Sequence, residues 1–320
     1  MSKRILAVSL GLFLSSMLSF GQTATGSIGG SVADSNGGGV PGAKMTATNV
    51  ASGQKLETVS NEIGIYAFPT VPTGVYTVVV EKAGFKKLNR QNIEIRIAQR
   101  LDLDLRLEVG DVMQTVDVTA EAPLLETTTS EKGQTFSPKF MNNLPLFTGG
   151  IRNPRAFVSY MAGVNAGAEV SISGSGGRGQ EVQIDGASAI IPESGGVVFN
   201  MPSAEMFGEF KLLTGTYSAE YGRFGGGVEM YVTKSGNNWY HGTAFLNMRR
   251  DIWNSNAWAR NAQGLGKPKE RQNEIGGAGG GPIFVPKIYD GRNKSFFYYT
   301  YSQRLLPADI GFPQIGRAHV

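Results

Sequence analysis

The sequence predicts a mainly β chain: a small β-sandwich, a glycine-rich α+β domain, and the first strands of a transmembrane β-barrel. Three observations carry this. Leu101, Leu103, Leu105 and Leu107 alternate with Asp102, Asp104, Arg106 and Glu108, the pattern of a strand with one buried and one wet face. Gly225-Gly226-Gly227 runs straight into a second alternation. Val228, Met230 and Val232 take one side and Glu229, Tyr231 and Thr233 the other, and a Lys234-Ser235-Gly236 turn ends it. After Asn237 the segments lengthen and fill with aromatics, among them Phe297, Tyr299 and Tyr301 on one side of a strand. Glycine, at 44 of 320 residues, suits tight turns and strands better than a helical bundle.

The chain opens with Lys3 and Arg4 before an apolar run from Ile5 to Leu18. Small residues at Ser19 and Gly21 place a cut between Gly21 and Gln22, the plan of a secretory signal peptide over 1–21. At about 14 residues the apolar run falls short of the roughly 20 that a spanning helix needs. No second apolar run of spanning length follows, so a place in a membrane is expected to be held by β-strands. Lys3, Arg4 and Arg317 supply three positive charges of a formal +4, and no basic run interleaves with aromatics, so nucleic acid is not expected as a partner. The absence of cysteine excludes disulfides and thiolate metal sites. No cofactor or metal is expected.

Residues 24–108 read as short strands at 27–32, 43–49, 56–60, 65–68, 75–81, 93–97 and 101–107, punctuated by Pro41-Gly42, Pro69, Pro72 with Gly74, and Gly84. The ordered landmarks Gly26, Ile28, Gly30 and Val32, then Val40-Pro41-Gly42-Ala43, then Asn61, Gly64, Tyr66 and Phe68, then Pro72, Gly74 and Tyr76, then Gly84-Phe85, resemble the carboxypeptidase regulatory-like family. The resemblance implies a transthyretin-like sandwich that is non-catalytic. The segment's lack of histidine agrees, because a zinc peptidase needs His and Glu ligands.

Residues 130–236 carry Leu144-Pro145, an expected short helix from Arg152 to Gly163, the Gly177-Arg178-Gly179 turn, and Val182, Ile184, Asp185 and Gly186. A second short helix and strand fall in 202–215, followed by Tyr221-Gly222-Arg223 and the glycine triplet. This order resembles the plug domain of TonB-dependent outer-membrane receptors. The glycines are expected to permit backbone turns closed to other residues. Gly174 to Gly179 lacks the Lys-Ser/Thr of a phosphate loop and reads as a tight turn. Arg178, Asp185, Glu220 and Arg223 are candidates for a polar network, with Gly186, Tyr221 and Gly222 as plug structural residues. Ligand-contact candidates are Ala189, Ile191, Pro192 and Asn200. The same resemblance makes 109–129 a linker, within which Gln114, Thr115, Val116, Asp117, Val118, Thr119 and Ala120 look like a TonB box. Such a box adds a strand to a TonB-type energy-transducing partner. The competing reading is an ordinary linker strand lying on the plug.

Residues 237–314 read as the start of the barrel, with strands at 239–249, 272–283 and 295–303. Tyr240, Gly242, Ala244, Leu246 and Met248 form a lipid-suited face, so outer-membrane lipid is an expected partner alongside an unidentified ligand. His241 sits in this alternation, and no Gly-x-Ser-x-Gly accompanies it or His319, so hydrolytic chemistry is not expected. Three strands cannot close a barrel, and a plugged transporter uses about 22. The chain is therefore read as an N-terminal fragment, with 315–320 as a non-native tail resembling a sequencing adapter. The expected function is energised uptake through a plugged barrel in the outer membrane, with the sandwich in the periplasm. The rival is a secreted or surface-anchored β-modular adhesion protein.

Overall fold

A computed structural model describes residues 25–110, 115–119, 131–136, 154–166, 170–197, 201–221, 224–269 and 271–305. The signal segment with Gly21 and Gln22, the box ends Gln114 and Ala120, Asn200, Gly222, Arg223 and the 315–320 tail lie outside them. The described residues fall into two units, one up to Lys234 and one from Ser235.

The first unit begins with the sandwich. Its strands are β1 (Thr25–Asp34), β2 (Lys44–Asn49), β3 (Lys55–Val59), β4 (Ile65–Pro72), β5 (Gly74–Glu81), β6 (Lys87–Ile95), β7 (Arg100–Asp102), β8 (Leu105–Leu107) and β9 (Thr115–Thr119). One sheet runs β4-β1-β7, with β8 also on β1; the other runs β3-β2-β5-β6-β9. The four leucines from Leu101 to Leu107 are buried with Ile28, Val32, Met45, Tyr66, Phe68, Tyr76, Val78 and Ile93. Their polar neighbours stay exposed. The leucine run is broken into two strands that pair in parallel with β1. Gly30 sits at the break with φ +152°, where a Cβ would collide with the Leu103 carbonyl. Ser31 holds the break from its N–H (2.9 Å) and hydroxyl (2.7 Å) to Asp104, and those bonds lower the Asp104 pKa. The Tyr66 hydroxyl donates to the Leu103 carbonyl at 2.6 Å.

β4 runs on to Pro72, through the Pro69 expected to end it, and β6 differs from expectation at both ends. β6 starts at Lys87, ahead of the polar run Asn89-Arg90-Gln91-Asn92 that carries no apolar period. The pairing of β5 with β6 shifts register between Tyr76 and Val78, opposite Asn92 at φ 59°, so a bulge resets the alternation. The strand also ends at Ile95, because Ile97 turns away to join Leu213, Val228 and Met230.

The rest of the unit contains β10 (Lys132–Phe136), β11 (Val164–Ala166), β12 (Val170–Ile172), β13 (Glu181–Ile184), β14 (Ala187–Ser188), β15 (Phe207–Gly215) and β16 (Val228–Thr233). Five of these make the sheet β10-β15-β16-β13-β14; β11 and β12 pair as a hairpin. Short 3₁₀ helices occupy Pro154–Tyr160 and Ala204–Met206, where short helices are expected. β16 corrects the expectation of a half-buried strand. Val228, Glu229, Met230 and Tyr231 are all buried, since the strand is central and both faces of its sheet are covered. The glycine triplet also has a different cause from the one expected. None of Gly225, Gly226 and Gly227 has positive φ. A Cβ on Gly226 would press to 2.6 Å on the Gly179 carbonyl, and one on Gly227 to 2.7 Å on the Leu213 carbonyl. Close approach of neighbouring backbone, not a positive φ, calls for glycine at Gly226 and Gly227, while Gly225 has open space.

The second unit is a ribbon of β17 (His241–Arg250), β18 (Arg271–Pro282) and β21 (Phe296–Leu305), all antiparallel, with a small hairpin of β19 (Phe284–Val285) and β20 (Tyr289–Asp290) between the last two. The connection between β17 and β18 holds a short helix at Trp258–Ala262.

Candidate functional site

The central sheet of the first unit presents two chemically different faces. On one, the Arg155 guanidinium makes a two-pronged bond to the Glu229 carboxylate, Nε to Oε2 at 3.0 Å and Nη2 to Oε1 at 3.1 Å. The Tyr231 hydroxyl donates to the same Oε2 at 2.9 Å. Glu229 and Tyr231 are both 0% exposed. Phe210 stacks on Tyr231 with ring centres 4.6 Å apart, and Phe207 lies 5.2 Å away. Burial, then the Glu229 charge, raises the Tyr231 pKa well above that of a free phenol, so Tyr231 remains a donor. Burial is the largest single effect on Arg155 and lowers its pKa, but the Glu229 charge, the hydrogen bond to Glu229 and the nearby Tyr231 together outweigh it and the net shift is upward.

Sequence reasoning missed this group. Glu229 read as a wet-face residue, and Arg155 lies 74 positions away with no spacing rule to connect them. The network expected instead does not assemble among its described members. Arg178 donates to the Ser194 carbonyl at 3.2 Å. Asp185 bonds to Thr233, with Oδ1 accepting the N–H at 2.8 Å and Oδ2 the hydroxyl at 2.7 Å. Glu220 borders Tyr221, whose pKa burial and then Glu220 raise to about 12. Asp185 (φ 50°) and Gly186 (φ 83°) form the two-residue loop between β13 and β14, with positive φ at both central positions. Asp185→Ala keeps the strained φ and loses both Thr233 bonds, so a cost of about 1–3 kcal/mol is expected. Asp185→Asn, which tolerates that backbone region, is expected to cost less. Chemical unfolding of the two variants checks the order.

The opposite face receives the sandwich. The turn from Arg96 to Gln99 places Ile97 on Leu213, Val228 and Met230. The Ile97 N–H donates to Glu209 Oε2 at 3.0 Å, and Lys211 Nζ donates to the Ala98 carbonyl at 3.0 Å. Burial pushes the Glu209 carboxyl up to about 7, against the lowering effects of the Ile97 N–H and Arg96. A cleft of about 560 Å³ adjoins this joint, lined by Gln99, Arg100, Glu131, Gln183, Glu220 and Tyr221 among others.

Of the ligand-contact candidates, Ala189 is buried, its N–H donating to the Val182 carbonyl at 2.7 Å, so its side chain is packed rather than presented. Ile191 closes a turn by accepting from Gly195 at 2.9 Å, and Pro192 is exposed at its tip. Thr115 to Thr119 form β9, and they pair in parallel with Lys87 to Gln91 on the sandwich, not on the plug.

The ribbon sorts its side chains by face. Leu246, Ile275 and Gln303 are cross-strand neighbours on one side, as are Ala244, Gly277 and Tyr301. Leu246, Met248, Ile275, Phe297, Tyr299, Tyr301 and Leu305 are all exposed there. On the other side Asn247, Glu274 and Arg304 align, with Arg249 opposite Gln272. An apolar, aromatic face backed by a polar, charged face is the two-sided wall of a barrel that lines an aqueous interior.

Known proteins agree with both ends of the chain. The carboxypeptidase regulatory-like domain family matches residues 27–108, and the outer membrane beta barrel domain family matches residues 232–306. Between and across them, the TonB-dependent transporter Oar of Myxococcus xanthus is 28% identical over 274 residues. Together the two domain matches and this relative support a TonB-dependent receptor. Its location is the outer membrane. The alignment covers 82% of the chain and 26% of Oar, so the chain spans about a quarter of that relative's length. Among solved structures, the siderophore receptor PirA from Acinetobacter baumannii is similar at 20% identity and TM-score 0.36, over 47% of this chain and 22% of PirA. Hydroxyquinol 1,2-dioxygenase from Pseudomonas putida matches at 8% identity and TM-score 0.24, over 28% of this chain and 58% of the enzyme. Neither likeness is close enough to inform function.

Proposed function

We propose that this receptor takes up a ligand through a plugged barrel, driven by a TonB-type protein of the inner membrane. The two-sided ribbon β17-β18-β21 carries this reading: Leu246, Ile275, Tyr299 and Tyr301 are exposed on one face while Asn247, Glu274 and Arg304 align on the other, the alternation of an outer-membrane strand. Residues 130–236 serve as the plug, and the sandwich stands in the periplasm before it. Gln114 to Ala120 is the segment offered to the partner, and the ligand meets the outer side near Ile191, Pro192 and Asn200. The work is mechanical: no bond of the ligand is broken, and the proton gradient acts through the partner. Ala189 belongs to the packing behind that surface.

The test uses the full-length protein. Outer-membrane fractionation should recover it, and single cysteines at 115–119, introduced into a chain that has none, should cross-link to the TonB-type protein in cells. Cross-linking is expected to fall when the proton gradient is collapsed. Release of the protein into the medium, as an adhesin would behave, or no cross-link from any of the five positions, overturns the reading.

A further inference from the structure

The segment offered to the partner is not a loose tether. The chain leaving β8 is already tied to the sandwich edge. The Lys86 N–H donates to the Glu108 carbonyl at 2.8 Å, Gly110 donates back to the Gly84 carbonyl at 3.1 Å, and Phe85 bridges Val109. β9 then continues along the same edge, Thr115 beside Lys87 through to Thr119 beside Gln91. The matched carboxypeptidase regulatory-like domain ends at residue 108, so this last strand is an addition to that module. β9 is the terminal strand of the sheet β3-β2-β5-β6-β9, and among the described residues its far edge has no strand beside it.

Backbone groups on a strand point alternately to its two edges. Those of β9 that face away from β6 therefore form a row of donors and acceptors already fixed in extended geometry. We propose that the partner binds β9 while β9 stays on β6, so that the docking site is the open edge of the sandwich sheet and not a released peptide. The occupant is one extended strand of the TonB-type protein, added beyond β9 as a sixth strand. This rests on the proposed function, and deepens it by naming what holds the segment.

The energetics favour the composite site. Ordering a free five-residue segment costs backbone entropy at every residue, a cost that a strand already paired to β6 has largely met. The geometry has a mechanical consequence too. A pull on the partner strand loads β9 and β6 together, and β6 leads directly into the Arg96–Gln99 turn that rests on the plug sheet. Force thus reaches the plug through the sandwich as well as through the chain that follows residue 119.

The test is a lock. Gln91→Cys with Thr119→Cys, made in the full-length receptor, places two cysteines at neighbouring register positions on β6 and β9, in a 320-residue stretch that otherwise has none. Binding of the purified periplasmic domain of the TonB-type protein is measured with the pair oxidised and reduced. It is measured again for Asp117→Pro and Val118→Pro, whose missing amides lie on opposite edges of β9. Hydrogen exchange at Val78 in β5 checks that the sandwich stays folded. The composite site predicts that oxidation changes Kd by less than about threefold and that each proline weakens binding about tenfold or more.

Binding that is abolished by oxidation and restored by reduction would mean that the strand must leave β6, which overturns the composite site and leaves the segment's role intact. Unchanged affinity in both proline variants would overturn the segment's role itself. Failure of the pair to oxidise would overturn the β6–β9 pairing.

Discussion

Arg155→Met is expected to loosen the central sheet of the first unit more than any other single change argued for this chain. It leaves the Glu229 carboxylate fully buried, with the Tyr231 hydroxyl still donating to it but its counter-charge gone. Breaking one side of a buried pair costs about 3–5 kcal/mol, because the orphaned charge keeps its desolvation penalty. The pair itself need not be worth that much. Arg155→Met combined with Glu229→Met removes both charges and fills similar volume, and it is expected to recover most of the loss. The readout must be local. All three tryptophans, Trp239, Trp253 and Trp258, belong to the second unit, so their fluorescence reports the ribbon and not the plug. Amide hydrogen exchange on β16 is the suitable measure. Protection there should drop about 100-fold or more in the single variant and by far less in the double. Equal loss in both variants would mean that the pair is net stabilising and not merely costly to break.

What could be read in advance divides along a physical line. Local signals gave the sandwich strands, the Asp185-Gly186 loop, the short helix before Gly163 and the apolar side of the ribbon, since each is written in residues a few positions apart. Burial of Glu229 could not be read that way. Its strand looks half-wet because Glu, Tyr and Thr alternate with Val and Met, and only the return of Arg155 makes a charged residue tolerable inside. The pairing of Thr115–Thr119 with Lys87–Gln91 was equally hidden. A parallel contact needs no turn residue between its strands, and β6 showed no apolar period at those positions. The glycine triplet misled in a third way. Glycine allows both unusual φ and close approach, and sequence alone does not tell which is in use.

The second large effect is expected from pH, acting where the sandwich turn rests on the plug sheet. Docked, Glu209 has a pKa raised to about 7, chiefly by burial. Undocked, it returns to water and to an ordinary value near 4.5. Between those two values the docked form binds a proton that the undocked form has released. Docking is therefore strongest below about pH 4.5 and weakens as pH rises through about 7. Glu209 is partly exposed, so the full difference is discounted to roughly 1–3 kcal/mol, or about 10- to 100-fold in the docking equilibrium. Arg96 and Lys211 oppose the shift and Glu94 assists it, so neutralising Glu94 alone should reduce the pH dependence without removing it. Glu209→Gln is the decisive variant. Its amide oxygen can still accept from the Ile97 N–H, and it carries no charge to desolvate. The Ile97 amide, corrected for intrinsic exchange and compared with Val78 in the sandwich core, should lose protection from pH 5 to 8 in the wild type. In Glu209→Gln it should hold its pH 5 protection throughout. A wild-type profile as flat as that of the variant would mean that the Arg96 and Lys211 charges already compensate the buried carboxylate. The joint would then hold the sandwich turn on the sheet without sensing protons.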